Sequence, residues 1–175
     1  MKRTLRRAFA GIFCILILLA LAGCGKDDIL PPAAVVEYGF TPPEGFTAAD
    51  ETAQLYHSPD YPDDIAVIYT ARSAADPYFG SYTADMMAEA LSRMLSAEYG
   101  TEIPVAVENF IYTEVDGLPA YRMQTSYAVG DLQLRQLVVA VNADACYTFT
   151  WTCTPEEDWM AAFAKSADSL WFRLQ

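Results

Sequence analysis

The sharpest pattern along the chain is an alternation of aromatic residues and threonines in the stretch ACYTFTWTC. Tyr147, Phe149 and Trp151 occupy every second position, and threonines stand between them. Because successive side chains of a β-strand point to opposite faces, the alternation predicts a strand with one aromatic face. Cys146 and Cys153 would lie far apart on opposite faces of that strand, so we expect no disulfide bond between them.

Three similar stretches precede this one and are separated from one another by short turns. The four predicted strands are 104–115, 118–129, 132–141 and 145–153. The dipeptide Asp116-Gly117, which follows the first of them, is typical of a tight β-hairpin, and together the four predict an antiparallel meander. The run LVVAV at 137–141 is apolar on both faces, which is typical of a central strand covered on both sides.

The first part of the chain predicts three shorter strands. They are residues 35–40, 54–57 and 65–70. The turn-rich segment SPDYPDD joins the second and third of these into a hairpin.

Two segments have the spacing of an amphipathic helix. The first, 83–99, has Thr83 as a candidate N-cap and is followed by Gly100, a residue typical of helix ends. The second opens with the capping box TPEE at 154–157. The apolar positions that we expect in the core are Met87, Leu91, Met94 and Leu95 in the first helix and Trp159, Met160, Phe163, Ala167 and Leu170 in the second. Met86, together with Met87 and Met94, is a weak signal for a soft metal, but helical spacing favours core packing.

Strands and helices are segregated along the chain rather than alternating. The order is a strand, a hairpin, a helix, a four-stranded meander and a second helix. This order predicts an α+β fold, in which two main helices flank an antiparallel sheet of six or seven strands.

The start of the chain is typical of an exported protein. Four basic residues lie within MKRTLRR, and residues 8–22 carry no charge. Fifteen residues span about 22 Å as a helix, short of the roughly 30 Å hydrocarbon core of a bilayer. We therefore interpret residues 1–23 as a signal peptide rather than a transmembrane helix.

Leu21-Ala22-Gly23-Cys24 resembles the lipobox of bacterial lipoproteins, which implies cleavage before Cys24 and attachment of a diacyl lipid to its sulfur. Two acyl chains suffice for stable anchoring; the alternative is an ordinary secretory signal with a chance cysteine. Residues 24–34 would form a tether to the extracytoplasmic face of the cell membrane, and residues 35–175 a single domain. Because glycine rather than aspartate follows Cys24, sorting to an outer membrane stays open for a cell with two membranes.

The chain is strongly acidic, with a formal net charge of −12. Four of the 11 basic residues precede Cys24 and all 23 acidic residues follow it, so seven basic residues remain and the net charge becomes −16. Such a charge argues against nucleic acid as a partner and against electrostatic binding to anionic lipid.

Four local patterns, in their order, resemble the PsbP-like α/β/α sandwich. They are Pro43-Glu44-Gly45-Phe46, Gly117-Leu118-Pro119-Ala120, Tyr147-Thr148-Phe149-Thr150 and Ser169-Leu170-Trp171-Phe172. The resemblance covers residues 35–175 and implies helices on both sides of an antiparallel sheet. It brings no catalytic residues, and proteins of this fold mostly act in binding or assembly.

Little in the chain indicates catalysis or a metal. His57 is the only histidine, whereas zinc sites need three or four ligands. Asp60, Asp63 and Asp64 follow it without the spacing of an EF-hand, so we interpret this turn as a solvated hairpin tip. The sequence has no G-x-S-x-G, no S-x-x-K and no glycine-rich phosphate loop. We therefore expect no catalytic residue, no metal and no cofactor.

The loop 74–82 is unusual because it carries Tyr78, Phe79 and Tyr82 just before the first helix. Aromatic side chains supply contact area at a low cost in conformational entropy, which makes these three residues a candidate binding loop. The alternative is that the rings pack over the sheet edge or the start of the helix.

Together these features predict a lipid-anchored extracytoplasmic protein that is not an enzyme and that binds or assembles another envelope protein. Two alternatives stand beside this prediction. One is a solute-binding or sensory lipoprotein with a pocket between the sheet and a helix. The other is an envelope hydrolase that uses His57.

Overall fold

The structure is a computed structural model that describes residues 34–49, 52, 54–155 and 159–175. The predicted signal peptide, the lipobox with Cys24 and the tether up to residue 33 lie outside the described residues. No helix in the described part of the chain is long and apolar enough to span a bilayer.

Nine strands, two α-helices and a short 3₁₀ helix at Phe79–Ser81 make up the described fold. The strands are β1 (Val35–Gly39), β2 (Thr47–Ala48), β3 (Leu55–His57), β4 (Ala66–Ala74), β5 (Ala106–Val115), β6 (Leu118–Val129), β7 (Leu132–Asn142), β8 (Ala145–Cys153) and β9 (Trp171–Leu174), and the helices are α1 (Ala84–Tyr99) and α2 (Met160–Ala167). Seven strands form one antiparallel sheet in the order β2-β3-β4-β8-β7-β6-β5, and β1 pairs with β9 in a separate antiparallel ribbon. The predicted α+β class is confirmed.

The main sheet has an apolar layer on each face. The aromatic face of β8, with Tyr147, Phe149 and Trp151, packs against α2 and the ribbon. The opposite face packs against α1. Cys146 and Cys153 belong to different layers and form no disulfide bond with each other, as the odd spacing between them predicts.

Helix α1 agrees closely with the prediction. The Thr83 hydroxyl accepts a hydrogen bond of 3.2 Å from the backbone N–H of Met86, and Gly100 ends the helix with a left-handed φ of 66°. The residues of α1 that are buried against the sheet are Met87, Leu91 and Leu95. The prediction that Met86 packs in the core is wrong, because this residue is 48% exposed.

Helix α2 begins later than the capping box predicts. Its first residue is Met160. The N–H of Thr154 donates to the carbonyl of Ile65 at 3.2 Å, so Thr154 extends the contact between β8 and the start of β4 instead of opening a helix. Residues 156–158 lie outside the described residues, so the capping interaction itself stays a prediction.

The β1–β9 ribbon is the main feature that the sequence pattern does not predict. Its inner side carries Phe172, which is buried and stacks on Tyr38 at 5.7 Å between ring centroids. Asp116 accepts a hydrogen bond of 2.7 Å from the N–H of Phe172 and thereby fixes β9 to the β5–β6 turn. The predicted first strand therefore exists, but it covers the main sheet instead of joining it.

Candidate functional site

The loop that carries the candidate binding residues is fixed to the sheet through Asp76. The N–H of Asp76 donates to the side-chain oxygen of Asn142 at 2.9 Å, and the Asn142 amide donates back to the Asp76 carbonyl at 2.9 Å. The Asp76 carboxylate accepts from the N–H of Tyr78 at 2.8 Å and from the hydroxyl of Tyr82. The loop therefore has a defined conformation, which lowers the entropy cost of any contact it makes.

The three aromatic residues of the loop lie in different environments. Phe79 is buried and its ring stacks on Tyr121 with 4.9 Å between centroids. Tyr82 is half-buried and approaches the same ring edge-on at 6.5 Å. Only Tyr78 is open to solvent, with 48% of its surface exposed. Two rings therefore pack inward, whereas the role of Tyr78 in recognition stays a prediction.

Replacing Phe79 with alanine is expected to lower the free energy of unfolding by about 3 kcal/mol, because the change leaves a cavity against Tyr121. The matched variant Tyr78→Ala should change it by less than about 0.5 kcal/mol, because this ring is exposed. Urea unfolding of both variants measures the difference. Equal losses from the two variants would contradict the inward packing of Phe79.

Strand β5, at the edge of the sheet, contacts the loop 74–82 through Tyr112. The hydroxyl of Tyr112 lies 3.0 Å from the carbonyl of Phe79 and 2.9 Å from that of Tyr82, within hydrogen-bond distance of both. Its neighbour Ile111 points to the opposite face of the sheet, where it lies across from Arg122. The exposed fractions are 46% for Tyr112 and 53% for Ile111. A large apolar side chain is therefore exposed on each side of the same edge.

No described residue pairs with the outer side of β5, which is the last strand of the sheet. A β-bulge between Glu108 and Ile111 interrupts its pairing with β6, and Asn109 there has a φ of 53°. Bulges and charges are devices by which sheet edges avoid indiscriminate pairing. We call Ile111 and Tyr112, with the exposed Glu108 and Glu114 on either side of them, the edge surface.

Sequence reasoning missed this surface. The stretch NFIYTEV shows no clean alternation, and 104–115 is predicted only as a strand of the meander. A signal is present in retrospect, because charged residues such as Glu108 and Glu114 on either side of the apolar positions are typical of an edge strand rather than of a central one. Which strand lies at the edge depends on the order of the strands in the sheet, and the local sequence pattern does not predict this order.

The turn between β3 and β4 differs in one respect from the predicted solvated tip. Asp60 and Asp63 are exposed, as expected. Asp64 is 9% exposed, and its carboxylate accepts a hydrogen bond of 2.9 Å from the indole N–H of Trp159. Asp64 is buried, unlike Asp60 and Asp63, because it joins the turn to Trp159, the residue that precedes α2.

His57 lies at the end of β3. Its Nδ1 is 3.0 Å from the carbonyl of Ser58, and its ring stacks on Tyr61 at 5.3 Å. Within the described ranges, no group of three or more His, Cys, Asp or Glu residues is arranged to hold a metal ion.

The space between α1 and the sheet is small. A cavity of about 20 Å³, lined in part by Asp76, Tyr82, Tyr121 and Cys146, lies there. Such a volume holds a water molecule but no organic solute. Burial raises the pKa of the Cys146 thiol to about 11, because the thiolate would lose its hydration. The cysteine is therefore a neutral thiol at physiological pH.

The two helices, the antiparallel sheet and their order define a PsbP-like α/β/α sandwich. The chain is similar to cyanobacterial PsbP (CyanoP) from Synechocystis sp. PCC 6803, with a TM-score of 0.59 and 15% identity over 87% of this chain and 99% of CyanoP. It is also similar to LpqN of Mycobacterium tuberculosis, a protein involved in cell envelope biogenesis, with a TM-score of 0.51 and 11% identity over 81% of this chain and 85% of LpqN. The resemblance expected from the sequence is thus confirmed for the fold.

No family model matches the chain, and no curated protein matches it in sequence.

Proposed function

We propose that this chain is a lipid-anchored extracytoplasmic protein that binds or helps assemble another protein of the bacterial envelope, and that it is not an enzyme. The observation that carries the proposal is the edge surface, where Ile111 and Tyr112 of β5 expose apolar side chains and no described residue pairs with the outer side of the strand. The lipobox resemblance supports the anchor. LpqN, of similar fold, is involved in cell envelope biogenesis, which supports a place in the envelope.

The edge surface suits the addition of an extended segment to β5. A free sheet edge supplies main-chain hydrogen-bonding groups, and side chains on both faces supply specificity. The Tyr112 hydroxyl already lies within hydrogen-bond distance of two loop carbonyls, so the surface is formed before a partner arrives. Preformed surfaces lose less entropy on binding, which favours a stable complex.

The charges at the edge favour a basic partner over a second copy of this chain. If two β5 strands paired about Ile111, the Glu108 of one copy would lie near the Glu114 of the other. Like charges on facing strands destabilise the pairing. A partner segment with lysine or arginine at the corresponding positions would instead meet opposite charge on both sides.

Photo-cross-linking in intact cells tests the proposal. The full chain would carry p-benzoylphenylalanine at Ile111, and the matched control would carry it at Ala97, which is exposed on α1. We expect one envelope protein to be captured repeatedly from position 111 and not from position 97, through a segment that contains basic residues. Identical captures from both positions would contradict a specific edge surface.

A charge reversal then tests the chemistry of the contact. Glu114→Lys is expected to lower the cross-linking yield at position 111 by roughly fivefold, because a favourable charge pair becomes a repulsive one. The control Asp60→Lys makes the same charge change on an exposed turn far across the sheet and should leave the yield unchanged. Equal yields from all three chains would show that the glutamate makes no contact.

A further inference from the structure

The outer face of the β1–β9 ribbon exposes apolar side chains that the core does not use. Val36 is 53% exposed and Trp171 is 41% exposed. The indole of Trp171 lies over Gly39, where an added Cβ would come within 3.0 Å of the ring. Glycine at this position therefore lets the ring lie close against the ribbon. The result is a firmly held aromatic side chain on the outside of the domain.

The same ribbon is the part of the domain to which the tether is attached. Ala34 immediately precedes β1, and its carbonyl accepts a hydrogen bond of 2.9 Å from the N–H of Gln175. The ten residues 25–34 reach about 30 Å when fully extended. An anchor at Cys24 would therefore keep the ribbon within a short distance of the lipid surface.

The charge of the ribbon also differs from that of the chain. Its strands carry one acidic residue, Glu37, and one basic residue, Arg173, and these two form an ion pair. The rest of the chain is strongly acidic, and an anionic bilayer repels such a surface. A locally neutral face can approach the headgroups where an acidic one cannot. Tryptophan and arginine are also the side chains that favour the interface between lipid and water.

We infer that the outer face of the β1–β9 ribbon lies on the phospholipid surface of the membrane, with Trp171 and Val36 among the headgroups. The inference rests on the proposed anchoring at Cys24. The tether holds the ribbon at a high local concentration of lipid. A contact too weak to recruit a free domain to the membrane is therefore sufficient to keep the ribbon on the lipid surface. The contact fixes the orientation of the domain relative to the membrane.

Quenching of tryptophan fluorescence by brominated lipid tests this contact. The lipidated full chain is reconstituted into vesicles of phosphatidylcholine and phosphatidylglycerol, with or without bromine on the upper part of the acyl chains. Trp171 is one of three tryptophans, and Trp151 is fully buried. We expect the brominated vesicles to lower the emission by up to about a third, and the variant Trp171→Phe to remove this difference.

A second variant, Val36→Asp, places a charge on the same face while the ring of Trp171 stays. We expect it to reduce the quenching at least twofold while flotation with the vesicles is unchanged. Circular dichroism of both variants checks that the fold is retained.

The outcomes separate this inference from the proposed function. Flotation with the vesicles without any quenching difference would overturn the inference and leave the anchor intact. Failure to float would overturn both the inferred ribbon contact and the proposed anchoring at Cys24. Loss of the fatty-acid label would identify the missing anchor as the cause. A concentration-dependent dimer that protects Trp171 from aqueous iodide and from brominated lipid would assign the face to a second copy and overturn the inference.

Discussion

Replacing Cys24 with serine is expected to abolish lipidation and to move the chain from the membrane fraction to the soluble fraction. Lipid attachment of the lipobox type needs the cysteine sulfur, which serine lacks. Each buried methylene contributes about 0.8 kcal/mol, and two acyl chains make the difference between stable anchoring and release. Incorporation of labelled palmitate and fractionation after a carbonate wash measure the two effects.

A matched control is available within the predicted signal peptide. Cys14 lies in the uncharged run of residues 8–22, outside the lipobox tetrad. Cys14→Ser should retain both the label and the membrane association. A Cys24→Ser chain that kept its label, or that stayed membrane-bound after signal-peptide cleavage, would show that the lipobox interpretation is wrong.

Replacing Trp151 with alanine is expected to cost about 4 kcal/mol of folding free energy, the largest effect we expect within the domain. The side chain is fully buried, and its indole N–H donates to the Ser166 hydroxyl at 3.1 Å. That hydroxyl in turn donates to the carbonyl of Thr41 at 2.7 Å, so the substitution disturbs the contact among β8, α2 and the segment after β1. Urea unfolding measures the loss, and a fall in Tm of about 10 °C should accompany it.

Two conservative replacements separate the contribution of the buried ring of Trp151 from that of its hydrogen bond. Trp151→Phe keeps most of the ring and loses the hydrogen bond, so its cost should be about 1–2 kcal/mol. Trp171→Phe makes the same chemical change at an exposed ring and should cost less than about 0.5 kcal/mol. A loss below about 1 kcal/mol for Trp151→Ala would contradict a core centred on the aromatic face of β8.

Local signals were sufficient where one segment carries its own information. The alternation around Phe149 predicts both the strand and its aromatic face, and Thr83 and Gly100 predict the two ends of α1. These signals act through dihedral angles, side-chain direction and caps, all of which lie within a few residues of one another. The class of fold followed from their order along the chain.

Pairings between distant segments could not be predicted in this way. The ribbon joins 35–39 to 171–174, and neither segment alone shows which partner it will have. The same limit applies to Asp64, whose burial depends on Trp159, and to the late start of α2, where Thr154 bonds to Ile65 instead.

The candidate site was predictable in composition but not in geometry. The cluster of Tyr78, Phe79 and Tyr82 is visible in the sequence, yet nothing local separates the exposed Tyr78 from the buried Phe79. The difference is decided by Tyr121, which lies on a strand some forty residues further along. The exposure of Ile111 and Tyr112 follows from strand order, which is a property of the whole sheet.

The pairing of β1 with β9 has a consequence for the order in which the chain assembles. During synthesis, β1 is the first of the strands to emerge, but it has no partner until residues 171–174 have followed. Closing so long a loop carries a large entropy cost, so the ribbon forms after the local hairpins of the meander. Until then Tyr38 and Phe40 cannot cover Phe149. A nascent chain that stalls before β9 therefore leaves the aromatic face of its sheet open to solvent and to chaperones.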